Sequence, residues 1–143
     1  MKIAIASDHA GVGYKIQLVN YLKTKGVEIK DFGPMNEESV DYPDYAHPVA
    51  KVVEKKDADL GILLCGSGNG INMSANKHQA VRSALCWKKE IAELARLHNN
   101  ANILAMPARF ISYKQAEEII TVFIKTEFEG GRHERRVNKI ACS

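Results

Sequence analysis

Short apolar runs alternate along the chain with longer stretches in which apolar residues recur every three or four positions. The runs predict five strands: residues 2–7 (KIAIAS), 27–33 (VEIKDFG), 59–66 (DLGILLCG), 82–86 (RSALC) and 101–106 (ANILAM). The third run is the most continuously apolar, which favours a central strand buried on both faces. Strands that alternate with helices are typical of a parallel sheet wrapped by helices.

The helical spacing between these runs completes the predicted fold. It predicts helices over 14–22, 46–53, 91–98 and 116–124, and a basic segment from Arg132 to Lys139 predicts a last helix. Pro48 is expected in the first turn of its helix, where its missing N–H does little harm. No linker divides residues 1–143, so the predicted fold class is α/β. It is a single-domain, doubly wound (Rossmann-like), five-stranded parallel sheet with helices on both faces and a C-terminal helix.

Composition narrows the class of protein. The chain is 45% hydrophobic and 26% charged, which is ordinary for one globular domain. A formal net charge of +3 and an aromatic content of 7% argue against a dedicated nucleic-acid-binding protein, although the basic segment 132–139 keeps that alternative open. The three cysteines form no CxxC pair, and no window approaches the roughly 18 apolar residues of a membrane span. We therefore expect a cytoplasmic protein with no membrane partner.

Ligands of doubly wound sheets bind beyond the carboxyl ends of the strands, where the strand order reverses. The segment Cys65-Gly66-Ser67-Gly68-Asn69-Gly70 follows the predicted central strand. Its glycines permit a tight turn, and its exposed N–H groups would attract an anion or favour a thiolate. The alternative is a tight turn that binds nothing. The spacing matches neither a dinucleotide loop, a Walker loop nor a hydrolase elbow. A cysteine-dependent phosphatase would need an arginine where Ile71 stands.

Cys65 itself has two interpretations. Free cysteines often pack as small buried hydrophobes, and Cys86, at the end of another predicted strand, fits that description. Cys65 differs because it enters a loop of amide donors, and Ser67 would add a hydroxyl hydrogen bond.

Other polar residues are candidates for a ligand site. Asp8 and His9 follow the first strand, where both side chains would reach a ligand. His98 shares a helix face with apolar residues, which is more typical of a core histidine. However, its helix runs into Asn99 and would bring the imidazole to the rim of the ligand crevice. No histidine spacing indicates a metal.

The basic segment near the C-terminus is by itself typical of a solvated helix face. Arg132 and Arg136 stand four residues apart, so they would share one side of a helix and clamp a phosphate between them.

Taken together, these residues resemble the B type of ribose-5-phosphate isomerases. The resemblance rests on five blocks in order: SDHAG at 7–11, DYPDYA at 41–46, CGSGNGI at 65–71, RLHNNANIL at 96–104 and EGGRHERR at 129–136. The blocks are spread from residue 7 to residue 136, so the resemblance extends over nearly the whole chain and is far more specific than any single motif. The same family includes the galactose-6-phosphate isomerase subunits, and some members act on allose 6-phosphate.

The resemblance implies a cofactor-free and metal-free isomerisation of ribose 5-phosphate and ribulose 5-phosphate through a cis-enediolate. Cys65 resembles the base at C2 and His98 the acid that opens the furanose ring. It also implies a homodimer, or a tetramer of two such dimers, in which a second subunit completes each site. The residues implied to bind the substrate are Asp8, His9, Gly66, Ser67, Gly68, Asn69, Gly70, Asn99, Arg109, Arg132 and Arg136, with Ser67 also counted as catalytic.

One branch of the family replaces the cysteine with a glutamate just after the glycine loop. Here that position is Ile71, and no carboxylate occurs between Cys65 and Glu90, so this loop offers no carboxylate base.

Two alternatives to this reaction stay open. A six-carbon sugar phosphate would need almost the same residues around its phosphate and enediolate. A non-catalytic phosphosugar-binding module would need only the glycine loop and the arginines.

Overall fold

The computed structural model describes all 143 residues and contains one five-stranded, all-parallel sheet. The strands are β1 (Lys2–Ser7), β2 (Glu28–Asp31), β3 (Leu60–Cys65), β4 (Ser83–Leu85) and β5 (Ile103–Pro107), in the spatial order β2-β1-β3-β5-β4. The helices are α1 (Val12–Thr24), α2 (Tyr42–Glu54), α3 (Asn69–Ala75), α4 (Lys89–Asn99), α5 (Tyr113–Lys125) and α6 (Arg132–Val137), and a short 3-10 turn covers His9–Gly11. The predicted sheet and its five strands are confirmed.

Helices cover both faces of the sheet, as the doubly wound prediction requires. One core joins α1, α4 and α5 to the sheet through residues such as Leu18, Ala95 and Phe123. The other joins α2 and α3 through residues such as Val49 and Ile71. All six residues of β3 are buried, which confirms its predicted central position.

The prediction that Pro48 lies in the first turn of its helix is wrong. The helix α2 begins at Tyr42, and Pro43 occupies its first turn, so Pro48 lies in the helix interior. The polar sequence before Ala46 hid this start because apolar periodicity sets in only at the second turn. Burial of Ala46, Val49, Ala50 and Val53 against the sheet holds the helix together despite the missing hydrogen bond.

The strand order reverses beside β1 and brings three strand ends together. The first crossover places β2 on one side of β1, and the next places β3 on the other side. The register pairs Ser7 with Leu64 and Cys65 with Pro107, so β1, β3 and β5 end at the same edge of the sheet. We call this the carboxyl edge. The opposite edge, where the strands begin, is the amino edge.

An ion pair between a buried lysine and a partly exposed aspartate holds the segment after β2 in place. The ammonium of Lys15, whose side chain is fully buried, lies 2.6 and 2.8 Å from the two carboxylate oxygens of Asp31. Asp31 also accepts a hydrogen bond from the N–H of Gly33, and the carbonyl of Gly33 accepts one from Ser7 at the end of β1. The pair therefore anchors the turn beside the carboxyl edge.

None of the six helices has the length and apolar character needed to cross a membrane.

Candidate active site

The carboxyl ends of three strands bring together a first group of predicted site residues. This carboxyl-edge cluster consists of Asp8, His9, Cys65 to Gly70 and Arg109. Backbone hydrogen bonds continue past the strand ends, from Asp8 to Leu64 at 2.9 Å and from Arg109 to Gly66 at 3.1 Å. The side chain of Arg109 then lies against Gly66. The sequence prediction that these residues gather at one edge is confirmed.

The glycine loop has a shape that only glycine allows at two positions. Gly68 has φ +76°, and a Cβ there would collide with Leu85 and lie 3.1 Å from the backbone of Met106. A Cβ on Gly70 would lie 2.5 Å from the ring of Tyr42. The loop is therefore pressed against the strand ends on one side and an aromatic ring on the other, so its backbone amides are held in place.

The thiol of Cys65 lies where β3 enters this loop, and Cys65 is 4% exposed. Burial raises the pKa of Cys65, and the negative charge of Asp8 raises this pKa further, whereas hydrogen bonds from the backbone of Ile71, Gly68 and Ser67 lower it. The net direction is upward. The amide loop thus favours the thiolate as predicted, but in the single chain it does not outweigh burial.

Ser67 does not direct its hydroxyl to Cys65, as the sequence suggested it would. Its Oγ accepts hydrogen bonds from the backbone N–H and the side-chain amide of Asn69, at 3.3 and 3.2 Å. The Ser67 hydroxyl therefore keeps its own proton free to donate to a ligand. Ser67 is exposed, so a ligand can reach this hydroxyl.

The two other cysteines have different environments. Cys86 is fully buried, and burial raises its pKa to about 12. That environment fits the packing role proposed for it from the sequence. Cys142 is exposed near the C-terminus. Cys65 alone of the three lies at a strand end lined by amide donors.

Asp8 and His9 are oriented by backbone hydrogen bonds. The carboxylate of Asp8 accepts a hydrogen bond from the N–H of Ala10 at 2.8 Å. Nδ1 of His9 accepts one from the N–H of Val40 at 3.2 Å. Because Nδ1 accepts, the neutral His9 ring carries its proton on Nε2, where it can be donated to a ligand oxygen.

The remaining predicted site residues lie at the opposite edge of the sheet. This amino-edge cluster consists of His98, Asn99, Arg132 and Arg136, with the neighbouring Glu129 and His133. The helix α4 begins beside the carboxyl edge and returns antiparallel to the strands, so its last residues reach the start of β5. Asn102 there accepts a hydrogen bond from Gly61, and Cys65 lies four residues further along β3, about 13 Å away at the usual rise of a strand.

The prediction that His98 reaches the rim of the crevice at Cys65 is therefore wrong within one chain. The apolar periodicity correctly predicted the helix, but it does not state at which edge of the sheet a helix ends. In a parallel sheet each connecting helix runs back from the carboxyl edge to the amino edge before the next strand begins. The end of α4, with His98, therefore lies at the amino edge.

Two residues of the amino-edge cluster were not singled out from the sequence. The ring of His133 stacks on that of His98 with centroids 4.2 Å apart and an angle of 12° between planes. Oε2 of Glu129 lies 3.7 Å from Nε2 of His98 and 3.6 Å from Nε2 of His133. The spacing of 129 and 133 by four residues was the available sequence signal, but it does not link them to His98.

The arginines of the amino-edge cluster follow the predicted arrangement on α6. Arg132 and Arg136 are one helical turn apart, and both are exposed. Their guanidinium groups form no hydrogen bond within the chain, so both remain available to an anionic ligand. The cluster thus pairs two cationic side chains with a stacked imidazole pair.

Comparisons with known proteins agree with these features. A family model described as Ribose/Galactose Isomerase matches residues 3–140. The probable ribose-5-phosphate isomerase B of Mycoplasma genitalium is 46% identical over 140 residues, which cover 96% of this chain and 92% of that protein. A ribose 5-phosphate isomerase from Thermotoga maritima has a similar crystal structure, with a TM-score of 0.96, 52% identity, and coverage of 98% and 97% of the two chains.

A further similar structure has a ligand. It is the crystal structure of the Mycoplasma genitalium ribose-5-phosphate isomerase B with bound ribulose-5-phosphate, with a TM-score of 0.94 and 46% identity. The similarity covers 97% of this chain and 93% of that one.

Proposed function

The chain belongs to the ribose/galactose isomerase family, and on that premise we propose that it interconverts D-ribose 5-phosphate and D-ribulose 5-phosphate. It is an aldose–ketose isomerase of the same kind as its relatives. The observation that carries the proposal is the Cys65 thiol, buried at the reversal of the strand order where β3 enters the tightly packed glycine loop. Such a site suits proton transfer on a small anionic substrate.

In the proposed reaction, Cys65 acts as the base that removes the proton from C2 and delivers it to C1. The intermediate is a cis-enediolate, whose oxygens carry the developing negative charge. Free N–H groups of the loop from Gly66 to Gly70 would stabilise that charge, and each well-placed donor is worth about 3 kcal/mol in comparable oxyanion sites. Asp8 and His9 bind sugar oxygens and the phosphate, with the Nε2–H of His9 as a donor.

Ring opening must precede this proton transfer, and His98 is the proposed acid. Since His98 lies at the amino edge of its own chain, the proposal requires a homodimer in which each carboxyl-edge cluster meets the amino-edge cluster of the partner. The same arrangement brings Asn99, Arg132 and Arg136 of the partner subunit to the substrate, and these arginines bind the phosphate with Arg109. A tetramer would pair two such dimers.

An exposed apolar rim around the carboxyl-edge cluster supports this assembly. Tyr42, which covers Gly70, is 40% exposed, Met73 on α3 is 63% exposed, and Phe110, next to Arg109, is 76% exposed. Large apolar side chains grouped in this way are typical of a surface that another chain covers. A second copy would bury them and deliver its own basic residues.

The assembly would also complete the electrostatics of the thiol. In the single chain, burial and Asp8 raise the pKa of Cys65. Arg132, Arg136 and His98 from a second subunit would place positive charge near the thiolate and lower that pKa. The thiolate fraction of Cys65 would therefore be higher in the dimer than in the single chain.

The proposed chemistry needs no cofactor, because the protons move between the sugar carbons and side chains of the protein. Three free cysteines, two of them buried, fit a reducing compartment, and we place the enzyme in the cytoplasm.

The test uses purified protein treated with EDTA and assayed with ribose 5-phosphate and ribulose 5-phosphate in deuterated water. We expect interconversion without added metal, with solvent deuterium entering the sugar. Cys65→Ala should abolish this exchange while phosphate-dependent binding of the sugar persists. Binding of sugar phosphate by the wild type with neither interconversion nor deuterium incorporation would instead indicate a non-catalytic module. A higher kcat/KM for allose 6-phosphate or galactose 6-phosphate would reassign the substrate.

A further inference from the structure

We propose that His98, Glu129 and His133 form a binding site for a divalent transition-metal cation such as Zn²⁺ or Co²⁺. Each residue offers one ligand atom, and the three atoms all lie within 4.8 Å of one another. Two imidazole nitrogens and one carboxylate oxygen form the His₂Glu ligand set that such cations accept, with at least one coordination position left for water.

The distances are close to those that coordination requires. Bonds of about 2.0–2.1 Å to a tetrahedral ion place ligand atoms roughly 3.3 Å apart. Oε2 of Glu129 already lies 3.7 and 3.6 Å from the two Nε2 atoms. The stacked rings must tilt toward each other for both lone pairs to meet one ion.

The exposure of the three residues shows which of them can make that adjustment. The side chain of His133 is 10% exposed and is the fixed member, whereas those of His98 and Glu129 are 38% and 58% exposed and can move. His133 therefore sets the position of the site, and the other two side chains adjust to it.

A second histidine cluster serves as the contrast. Nε2 of His78 lies 2.9 Å from Nδ1 of His47, and Nδ1 of His78 lies 3.3 Å from Oε2 of Glu54. Both nitrogens of His78 are thus engaged within the protein, so it has no free lone pair for a cation. In the amino-edge cluster, the Nε2 atoms of His98 and His133 face only the carboxylate of Glu129.

The consequence for catalysis rests on the proposed function. A cation bound to the imidazole of His98 would compete with the proton that this ring must carry for ring opening. The metal would therefore act as an inhibitor rather than as a cofactor, and its removal by a chelator would restore activity. Arg132 and Arg136 nearby oppose the positive charge and limit the affinity.

The primary test is titration of the metal-free protein with Co²⁺, followed by calorimetry and by visible absorption. We expect one Co²⁺ per chain, with a spectrum that lacks a thiolate charge-transfer band. Glu129→Gln, an exposed and conservative change, should weaken binding by at least about tenfold, and His133→Asn should do the same. His78→Asn and Cys65→Ala are the matched controls and should bind as the wild type does.

The outcomes separate this proposal from the proposed function. No stoichiometric Co²⁺ binding, or binding lost in Cys65→Ala but kept in Glu129→Gln, would overturn the metal site whether or not the protein is an isomerase. If Co²⁺ binds as expected and isomerase activity is present, activity should fall with the same midpoint and return with EDTA. Binding without inhibition would contradict the role of His98 in ring opening and leave the metal site standing.

Discussion

The carboxyl-edge cluster is shaped by backbone, whereas the amino-edge cluster is shaped by side chains. Around Cys65, glycines press the chain against strand ends and the Tyr42 ring, and the donors are backbone amides. Around His98, the groups are a stacked imidazole pair, a carboxylate and two exposed arginines. The first cluster has few ways to move, while the second consists of long side chains that can adapt.

This difference matches the two tasks in the proposed reaction. Proton transfer between adjacent carbons needs a base and amide donors held within a few tenths of an ångström, which a packed backbone provides. Ring opening and phosphate binding need charge that reaches across a subunit boundary, which long side chains provide. The rigid part and the adaptable part thus lie at opposite edges of one sheet and meet only between chains.

The largest expected effect tests whether the two clusters work in different chains. Cys65→Ala and His98→Asn should each lower kcat by at least about a thousandfold, since each removes a group that transfers a proton. Co-refolding equal amounts of the two variants should restore activity to about a quarter of the wild-type value, because half of the dimers are mixed and each has one intact composite site.

The control for this experiment is a mixture of Cys65→Ala with a chain that carries both substitutions. That mixture contains no intact composite site and should remain inactive. Recovery there, or no recovery in the first mixture although mixed dimers form, would show that the two clusters do not share a site.

A smaller effect tests the rigidity of the two clusters through one glycine in each region. Gly68→Ala should destabilise the protein by about 2 kcal/mol or more, because it combines a left-handed φ with a collision against the strand ends. Gly130→Ala, at φ +70° but with open space around its Cβ, should cost about 1 kcal/mol. Urea unfolding at one fixed protein concentration measures the free energy of unfolding of both variants. Equal destabilisation would contradict the proposed difference in rigidity between the two clusters.

The smallest effect concerns the charge beside the thiol. Asp8→Asn removes the negative charge that raises the pKa of Cys65, so the thiolate fraction at a given pH should increase. The rate of alkylation by iodoacetamide should rise severalfold, and its dependence on pH should shift to lower values. Asp57→Asn, on the exposed surface, should leave the rate unchanged. A slower reaction in Asp8→Asn would show that Asp8 does not raise this pKa.

The same shift in the pKa of Cys65 predicts how the activity of the wild-type enzyme depends on pH. A base must be deprotonated to act, and the pKa of Cys65 lies above its ordinary value in the single chain. The kcat/KM should therefore increase with pH across the neutral range, and more weakly so if assembly lowers that pKa.

The sequence predicted the carboxyl-edge cluster because its residues are local to strand ends. An apolar run followed by Cys65 and alternating glycines specifies both the buried strand and the loop, and parallel strands end at one edge. The start of α2 was missed because apolar periodicity begins only at Ala46, in its second turn, and Pro48 was therefore placed too near the start of the helix. Tyr42 was missed as a wall of the loop for a related reason, since its contact with Gly70 spans two elements.

The amino-edge cluster was predicted only in part, because its contacts are far apart in sequence. Helical periodicity placed His98 on a helix, yet the edge at which that helix ends depends on the path of the whole chain. The stacking of His98 on His133 joins residues of α4 and α6, and neither spacing nor charge indicates it. The sequence made His98, Arg132 and Arg136 candidates for a ligand site, the family resemblance supplied their roles, and that site remains a proposal.

The ion pair of Lys15 and Asp31 has a consequence for how this sequence can change over time. Loss of Asp31 leaves the fully buried ammonium of Lys15 uncompensated, at a cost of about 3–5 kcal/mol, whereas loss of Lys15 leaves a carboxylate that water still reaches. The cost of losing Asp31 is a large share of the stability of a domain of this size. The order of substitutions therefore matters. A neutral residue at position 31 is tolerated only once position 15 has lost its charge, so evolution that removes this pair should replace Lys15 first.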